Sequence, residues 1–491
     1  MSRMPVAATV QTGAARAVPA PGPAPVLSLR DAIALIVGVV IGAGIFKAPS
    51  MVAGMAGSPA WMFGAWLLGG LISLIGALCY AELVTSYPDA GGDYHFLKRA
   101  YGKSVSFLFG WARFSVITTG SIALLAFVFG DYMQQALPLG AAGQSWGASL
   151  YAVASIAVLS WVNLRGIRSG SSAQVWLTSL EVIGLLLIGA AGLVLAYHGA
   201  TPLPAPPVTL ESTRTTPDPA LFGLAMVFVL LTYGGWNEAA YISAEMKDER
   251  HSIAVALMLS ILIITALYLL VTWAYWKGLG LQGMAKSEAL AADLLQAAFG
   301  TVGKKIISVL VAIAALTSIN ATMIMGARSS YALGRDWPLL GTLAVWNPSR
   351  GTPVNAMWLQ SAAALLLVFL GIGTGQGFKS MVEFTAPVFW FFFLLSGMAL
   401  FVLRVREPRT SRPFRVPLFP LLPLVFCATC AYMLWSSLSY VYSQSLGGLN
   451  AAWVGVAVLG AGGLLLLLTT ALSAKPVQNR CVPINPPRRN P

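Results

Sequence analysis

The sequence predicts an all-α polytopic membrane protein of about twelve transmembrane helices. They are arranged as a five-plus-five inverted repeat in which helices 1 and 6 are broken. Three observations carry this. The 491 residues are 57% hydrophobic and only 10% charged, against roughly a quarter charged in soluble domains. Such a chain lacks the polar skin that water requires, so a bilayer must cover most of it. The apolar residues fall into twelve runs near the ~20 residues that span a bilayer. Two of those runs, the first and the sixth, carry paired glycine interruptions.

In chain order the twelve candidate spans are 29–57, 60–87, 104–135, 146–164, 173–197, 219–245, 252–277, 304–333, 354–371, 381–404, 416–440 and 450–472, numbered helices 1 to 12. Residues 1–27 are rich in Ala and Pro and are expected to form a disordered arm. The first apolar run is too long for a cleaved secretory signal. The repeats are expected over 28–200 and 219–404, helices 11 and 12 over 405–473, and a tail over 474–491. The longest connections are the Pro/Thr-rich 198–218 and 278–303, which has the pattern of a short amphipathic helix.

Lys and Arg orient the chain, because they accumulate on the cytoplasmic side of membrane helices. With the N-terminus inside, only seven of the thirty fall outside: Lys47, Arg214, Lys277, Lys286, Lys304, Lys305 and Lys379. A wrong helix count would scramble that asymmetry. Both termini are therefore expected in the cytoplasm, in a cell (inner) membrane. The net charge of +13 is spread between apolar runs rather than gathered in one patch, which argues against nucleic acid as a partner. Cys427 and Cys430 form a CxxC inside an apolar run. With three histidines and no second cysteine pair, they read as small core residues, and no metal or cofactor is expected.

The interruptions locate the candidate site. Helix 1 carries GVVIGAGIF from Gly38 to Phe46, and helix 6 carries TYGGWNEA from Thr232 to Ala239. Positions 1 and 6 correspond if helices 1–5 and 6–10 are inverted repeats. Interruptions at corresponding positions are the best sequence pointer to a transporter binding site. Unsatisfied backbone groups are not tolerated in hydrocarbon unless protein or a wet cavity meets them. A broken helix offers free N–H groups suited to a carboxylate on one side and free carbonyls suited to an ammonium on the other. Two facing breaks could therefore clamp an α-amino acid by its zwitterionic head. Small residues also serve plain helix packing, the reading given to Gly69-Gly70, Gly130 and Gly460.

Several motifs then occur together: GVVIGAGIF; YAELVTSYPDAGGDYHFLKRAYG (Tyr80 to Gly102); TYGGWNEAAYISAEMKDERHSI; SINATMIMGARSSYALGRDW around helix 8; RGTPVNA before helix 9; and RPFRVP before helix 11. In this order, over roughly residues 28–440, the chain resembles the amino acid–polyamine–organocation (APC) family, and within it the L-type amino acid transporters and their bacterial relatives. The resemblance implies unwinding of helices 1 and 6 at mid-membrane. It also implies that Gly42, Ala43 and Gly44 meet a substrate carboxylate and that Ile41 offers a carbonyl to the amine. Thr232, Tyr233, Gly234 and Gly235 complete the head-group site, and Trp236 lines or gates the pocket.

Two positions depart from the family pattern. Leu231 stands where many relatives carry a gating aromatic. Seven residues after Gln174, where L-type relatives have a lysine facing helices 1 and 8, stands Glu181. A carboxylate inside a membrane is costly and functional by default. Glu181 is read as a proton carrier, an ion ligand or a hydrogen-bond brace for the helix 1 break. Glu238 reaches either the substrate pocket or solvent. Glu82 is expected to pair with Arg99 or Arg113, and Glu383 to cap helix 10 in solvent. On helix 8, Thr317, Ser318, Asn320 and Thr322 either bond back to their own helix or face helix 1 and Glu181. Ser318 and Thr322 thus join Glu181 and Glu238 as candidates for a coupling site.

The expected function is secondary transport of amino acids, by proton coupling or exchange, with a polyamine or organic-amine permease as the alternative. No GxxxxGK[ST] loop occurs, nor a cluster of nucleophiles, nor repeated polar faces, which argues against a pump, an enzyme and a channel. Some L-type relatives are disulfide-linked to a partner chain through a cysteine between helices 3 and 4. Residues 136–146 contain none, so no covalently linked heavy chain is expected.

Overall fold

The computed structural model describes residues 29–88, 92–139, 146–165, 171–198, 219–238, 251–347, 352–375, 377–443, 445–446 and 449–473. The expected arm, the tail and the 199–218 connection lie outside the described residues, as does the stretch of helix 6 beyond Glu238.

The architecture is helical. Among the described residues, ten helices are long and apolar enough to cross a membrane: Pro59–Ser86, Lys103–Ala136, Gly147–Arg165, Ser179–Tyr197, Leu221–Glu238, Ile253–Lys286, Leu290–Asp336, Val354–Gly373, Gly377–Arg406 and Leu421–Ser439. These are helices 2 to 11. Helix 1 is split into Leu29–Val40 (1a) and Ala48–Ala56 (1b), and neither half is long enough alone. Helix 12 is Ala451–Ser473. A two-residue hairpin, Ser445–Leu446 with Leu449–Asn450, precedes it.

Helices 7 and 8 differ most from the sequence reading, and each carries a kink. Helix 7 runs on to Lys286 and helix 8 begins at Leu290, with left-handed residues at Gly280 and Gly300. The amphipathic stretch expected within 278–303 is the segment from Leu290 to the Gly300 kink. Its Leu290, Ala291, Leu294 and Leu295 are buried.

Small residues set the helix spacing, because lipid tails supply little drive for association and close packing must. A Cβ on Gly69 would meet Val229 of helix 6 at 2.3 Å, and one on Gly70 would meet Thr265 of helix 7 at 2.5 Å. Gly130 is held as tightly against Ala148 of helix 4. Gly460, also expected to be a packing position, faces open space.

The intramembrane charges find partners other than those expected. Glu82 is 1% exposed and pairs with Arg404 and Arg412, not with Arg99 or Arg113. It also accepts the Val416 backbone N–H at 2.7 Å. Arg99 instead grips Glu407 at 2.8 Å, and Arg113 takes Glu238. Glu383 is buried within helix 10, which starts a turn earlier than expected, with Lys379 at 3.8 Å. It is therefore no solvated cap.

Candidate functional site

The regular bonding of helix 1 ends when Ile41 N–H donates to Val37 O at 2.8 Å. Gly42 is extended (φ −91°, ψ −176°), and its N–H turns back to Val40 O at 2.7 Å. A 3₁₀ turn over Ala43–Phe46 follows, and helix 1b begins after Lys47. The first amides of such a turn have no helical acceptor. Those of Ala43 and Gly44 are thus the donors the break offers, whereas the Gly42 amide is already engaged.

Helix 6 unwinds correspondingly. Its last α-helical bond is Tyr233 N–H to Val229 O at 2.9 Å, and Gly234 N–H donates to Leu231 O at 3.0 Å. Gly235 then takes φ +107°, a conformation that a residue with a Cβ rarely adopts, and a 3₁₀ turn covers Trp236–Glu238. The breaks face each other. A Cβ on Gly44 would lie 3.5 Å from the Thr232 side chain, and one on Gly235 would lie 3.1 Å from Val39 O. Position 44 faces 232 and position 39 faces 235, so the segments run in opposite directions, as inverted repeats require. The Tyr268 hydroxyl of helix 7 ties them together, its one proton shared between Val40 O at 2.9 Å and Thr232 O at 3.2 Å.

A cavity of about 330 Å³ opens between the breaks. Gly42, Ala43, Gly44, Thr232, Gly234 and Gly235 line it. One wall is apolar: Ile117, Leu124 and Leu125 of helix 3, Leu231, Met325 of helix 8, and Val382 and Phe389 of helix 10. The wall's hydroxyls bond within their own helices, Ser121 to Ile117 O at 2.8 Å and Thr385 to Met381 O.

Such paired breaks and a shared cavity call for comparison with known transporters. The amino acid permease family profile matches residues 27–465. The chain belongs to the amino acid permease family. Among its relatives is the "large neutral amino acids transporter small subunit 2" of Mus musculus, 29% identical over 412 residues, covering 84% of this chain and 76% of the relative. The Mus musculus "Asc-type amino acid transporter 1" is 26% identical over 456 residues (93% and 82%). The Homo sapiens "b(0,+)-type amino acid transporter 1" is 27% identical over 393 residues (80% and 78%). The protein is thus a multi-pass amino acid transporter, not an enzyme.

Of the site residues expected in the permease, Ile41, Tyr233 and Trp236 do not line the cavity. Ile41 is fully buried. Tyr233 points to helices 2 and 7, its hydroxyl donating to Trp66 O at 3.1 Å. Trp236 packs edge-on against Tyr80 at 5.2 Å and against Phe393 and Phe426. Its bulk fits the notch that Gly76 leaves in helix 2.

Glu181, Thr317, Ser318 and Thr322 do line the cavity. Glu181 is 3% exposed, and its Oε2 has no hydrogen-bond partner among the described residues. Both readings of the helix 8 hydroxyls hold in part. Thr317 and Thr322 donate to Ile313 O and Ser318 O, yet they sit in the cavity wall. Asn320 turns away to Asn163 of helix 4, which donates to it at 2.7 Å. Glu238 lines the cavity and accepts from Arg113 at 3.2 Å.

The sequence reading missed Asp93, Arg113 and Tyr268 as site residues. Asp93 heads the short helix Asp93–Tyr101 and lines the cavity. It accepts from Tyr80 at 2.5 Å, Ser396 at 2.9 Å and Asn237 at 3.5 Å. Burial pushes its carboxyl above the ordinary range, and the Tyr80 and Ser396 bonds oppose that. Arg113 opens a π-helical stretch, Arg113–Thr118, a rare geometry that recurs at functional sites. An arginine ten residues into an apolar run was the available signal. Tyr268 gave none, being one more aromatic in an apolar helix.

Proposed function

We propose that this permease moves amino acids by alternating access, holding the zwitterionic head between the breaks of helices 1 and 6. The observation that carries the reading is the facing of those breaks across one cavity, where the Ala43 and Gly44 amides have no helical acceptor. In this account those amides bind the carboxylate, assisted by the dipole of helix 1b. The Ile41 carbonyl and the frayed end of helix 6 take the ammonium. Thr232, Gly234 and Gly235 shape the floor, and the glycines let main chain approach ligand. The side chain lies against the apolar wall, where the Ser121 and Thr385 hydroxyls already donate within their own helices, which favours neutral, apolar substrates. Relatives bear the name of large neutral amino acid transporters, and Leu231 in place of an aromatic leaves room for a large side chain. An organic amine without a carboxylate would leave the two amides unmatched, which disfavours the polyamine alternative.

Glu181 is the coupling residue of this proposal: it gains and loses a proton as the cycle proceeds. A buried carboxyl beside the cavity, with its Oε2 unpartnered among the described residues, supports that role. Ser318 and Thr322 line the same region. Residues 28–200 and 219–404 act as the two inverted repeats, followed by helices 11 and 12. The termini lie in the cytoplasm, so the Lys47 end of the bundle is external. The word "subunit" in the relatives' name leaves room for a partner chain. The absence of cysteine from residues 136–146 favours function without a disulfide-linked one.

Counterflow in proteoliposomes tests the proposal. Vesicles loaded with an unlabelled large neutral amino acid should accumulate its labelled form transiently and saturably. Absence of counterflow with every amino acid tried would overturn it.

A further inference from the structure

The cavity is not placed symmetrically in the bundle. On helix 3 its lining runs from Phe109 to Leu125 and stops short of the helix end at Ala136. It includes Arg113, Glu238 and Asp93 at one end of the bundle but neither Lys47 nor Asp131 at the other. The Lys47 end is closed by a knot of three elements. Lys47, the residue between the first break and helix 1b, is 7% exposed. Its ammonium donates to Asp131 Oδ2 of helix 3 at 2.7 Å and to the Glu288 carbonyl at 2.6 Å. Beside this pair, the Tyr132 hydroxyl donates to Phe46 O at 2.9 Å and accepts the N–H of Ala291, three residues past Glu288, at 3.2 Å. The link into helix 1b, the end of helix 3 and the turn that leads into helix 8 are thereby tied together.

We infer that Lys47 and Asp131 form a charged latch that positions helix 1b and holds the transporter closed at the Lys47 face and open toward Arg113. The bonds all converge on the short stretch that links the substrate-binding break to helix 1b. For substrate to enter from the Lys47 face, helix 1b must part from helix 3 or from the 287–293 connection. The Lys47 ammonium bridges both. Helix 3 also carries Arg113, which holds Glu238 beyond the second break at 3.2 Å. One rigid helix thus grips the segment beyond each break by an ion pair of opposite polarity. Only the Arg113 pair lies in the cavity wall. The removal of a buried charge's partner is strongly unfavourable, so the latch biases the resting equilibrium toward this state. The inference rests on the alternating-access reading, but its test needs no substrate.

The test is sided labelling in proteoliposomes. Ser121→Cys places a thiol in the cavity, and a membrane-impermeant maleimide is added from one face at a time, with the parent chain correcting for native cysteines. In the native latch background, labelling should be fast from the Arg113 face and slow from the Lys47 face. Lys47→Met and Asp131→Asn should each raise labelling from the Lys47 face at least about fivefold, the low end of ordinary coupling between sites. The double variant Lys47→Met/Asp131→Leu leaves no unpaired charge, and it should show no more effect than the larger single change. Tyr132→Phe, which leaves no charge unpaired, should shift labelling in the same direction. Native-level labelling from the Lys47 face in the double variant, or in Tyr132→Phe should that variant not fold, would overturn the latch. Failed counterflow with a shifted labelling pattern would refute the proposed substrate class and leave the latch standing.

Discussion

At the scale of single residues, the account turns on groups whose hydrogen-bonding capacity is left over. Glu181 is one: a 3% exposed carboxyl of the cavity lining whose buried Oε2 has no partner among the described residues. If it carries the coupled proton, Glu181→Gln should bind substrate yet lose the pH dependence of uptake. A mutant that keeps the native pH profile would assign the residue a bracing role instead. Tyr268 is the opposite case, because one hydroxyl serves both breaks. Tyr268→Phe removes this shared bond and should cost about 0.5–1.5 kcal/mol, measured as a loss of substrate affinity together with a lower Tm. Leu231 borders the cavity beside Thr232. Leu231→Phe should weaken uptake of aromatic amino acids relative to alanine, because the added ring occupies the side-chain space. These residues were unequally legible. Glu181 stood out because a charge in an apolar run has no neutral explanation. Tyr268 and Asp93 did not, since their roles depend on which distant carbonyls and hydroxyls the fold brings to them.

At the scale of elements, both breaks were legible because glycine is the visible trace of backbone that must leave the helical ladder. The side-chain directions beside the breaks were less legible. Ile41, Tyr233 and Trp236 lie next to the breaks in sequence, but in an irregular stretch adjacent side chains diverge, and these point into the packing between helices. The charge pairings were also illegible, since Glu82 finds Arg404 across 322 positions of chain. The soluble end of the molecule offers its own test. Arg99 of the short helix Asp93–Tyr101 donates to Glu407 after helix 10 and thereby holds the Glu407 carboxyl below its ordinary value of 4.5. A lowered carboxylate stabilises the fold above its unfolded value, and that gain is lost as pH falls through its folded value. Glu407→Gln should therefore destabilise the protein at neutral pH by up to about 1 kcal/mol, the usual range for exposed pairs. The difference between native and variant Tm should vanish in acid. A difference that persists there would mean that packing, not charge, is responsible.

At the scale of the whole molecule, the twelve apolar runs fixed the membrane class, because a bilayer demands an uninterrupted apolar length that few other contexts require. The tilt, the closing knot at Lys47 and the off-centre cavity were beyond reach, since they depend on how helices pack and not on their composition. The architecture places an antiparallel pair of broken helices against a cavity closed at one end. The central claim is that both charges of an amino acid are read there by main-chain groups. Competition for labelled substrate by matched analogues tests this most directly, using a transported amino acid, its decarboxylated amine and its deaminated acid. The account predicts strong competition by the intact amino acid and at least about tenfold weaker competition by each analogue, since each leaves a buried backbone donor or acceptor unmatched. Competition by the amine equal to that of the amino acid would contradict it.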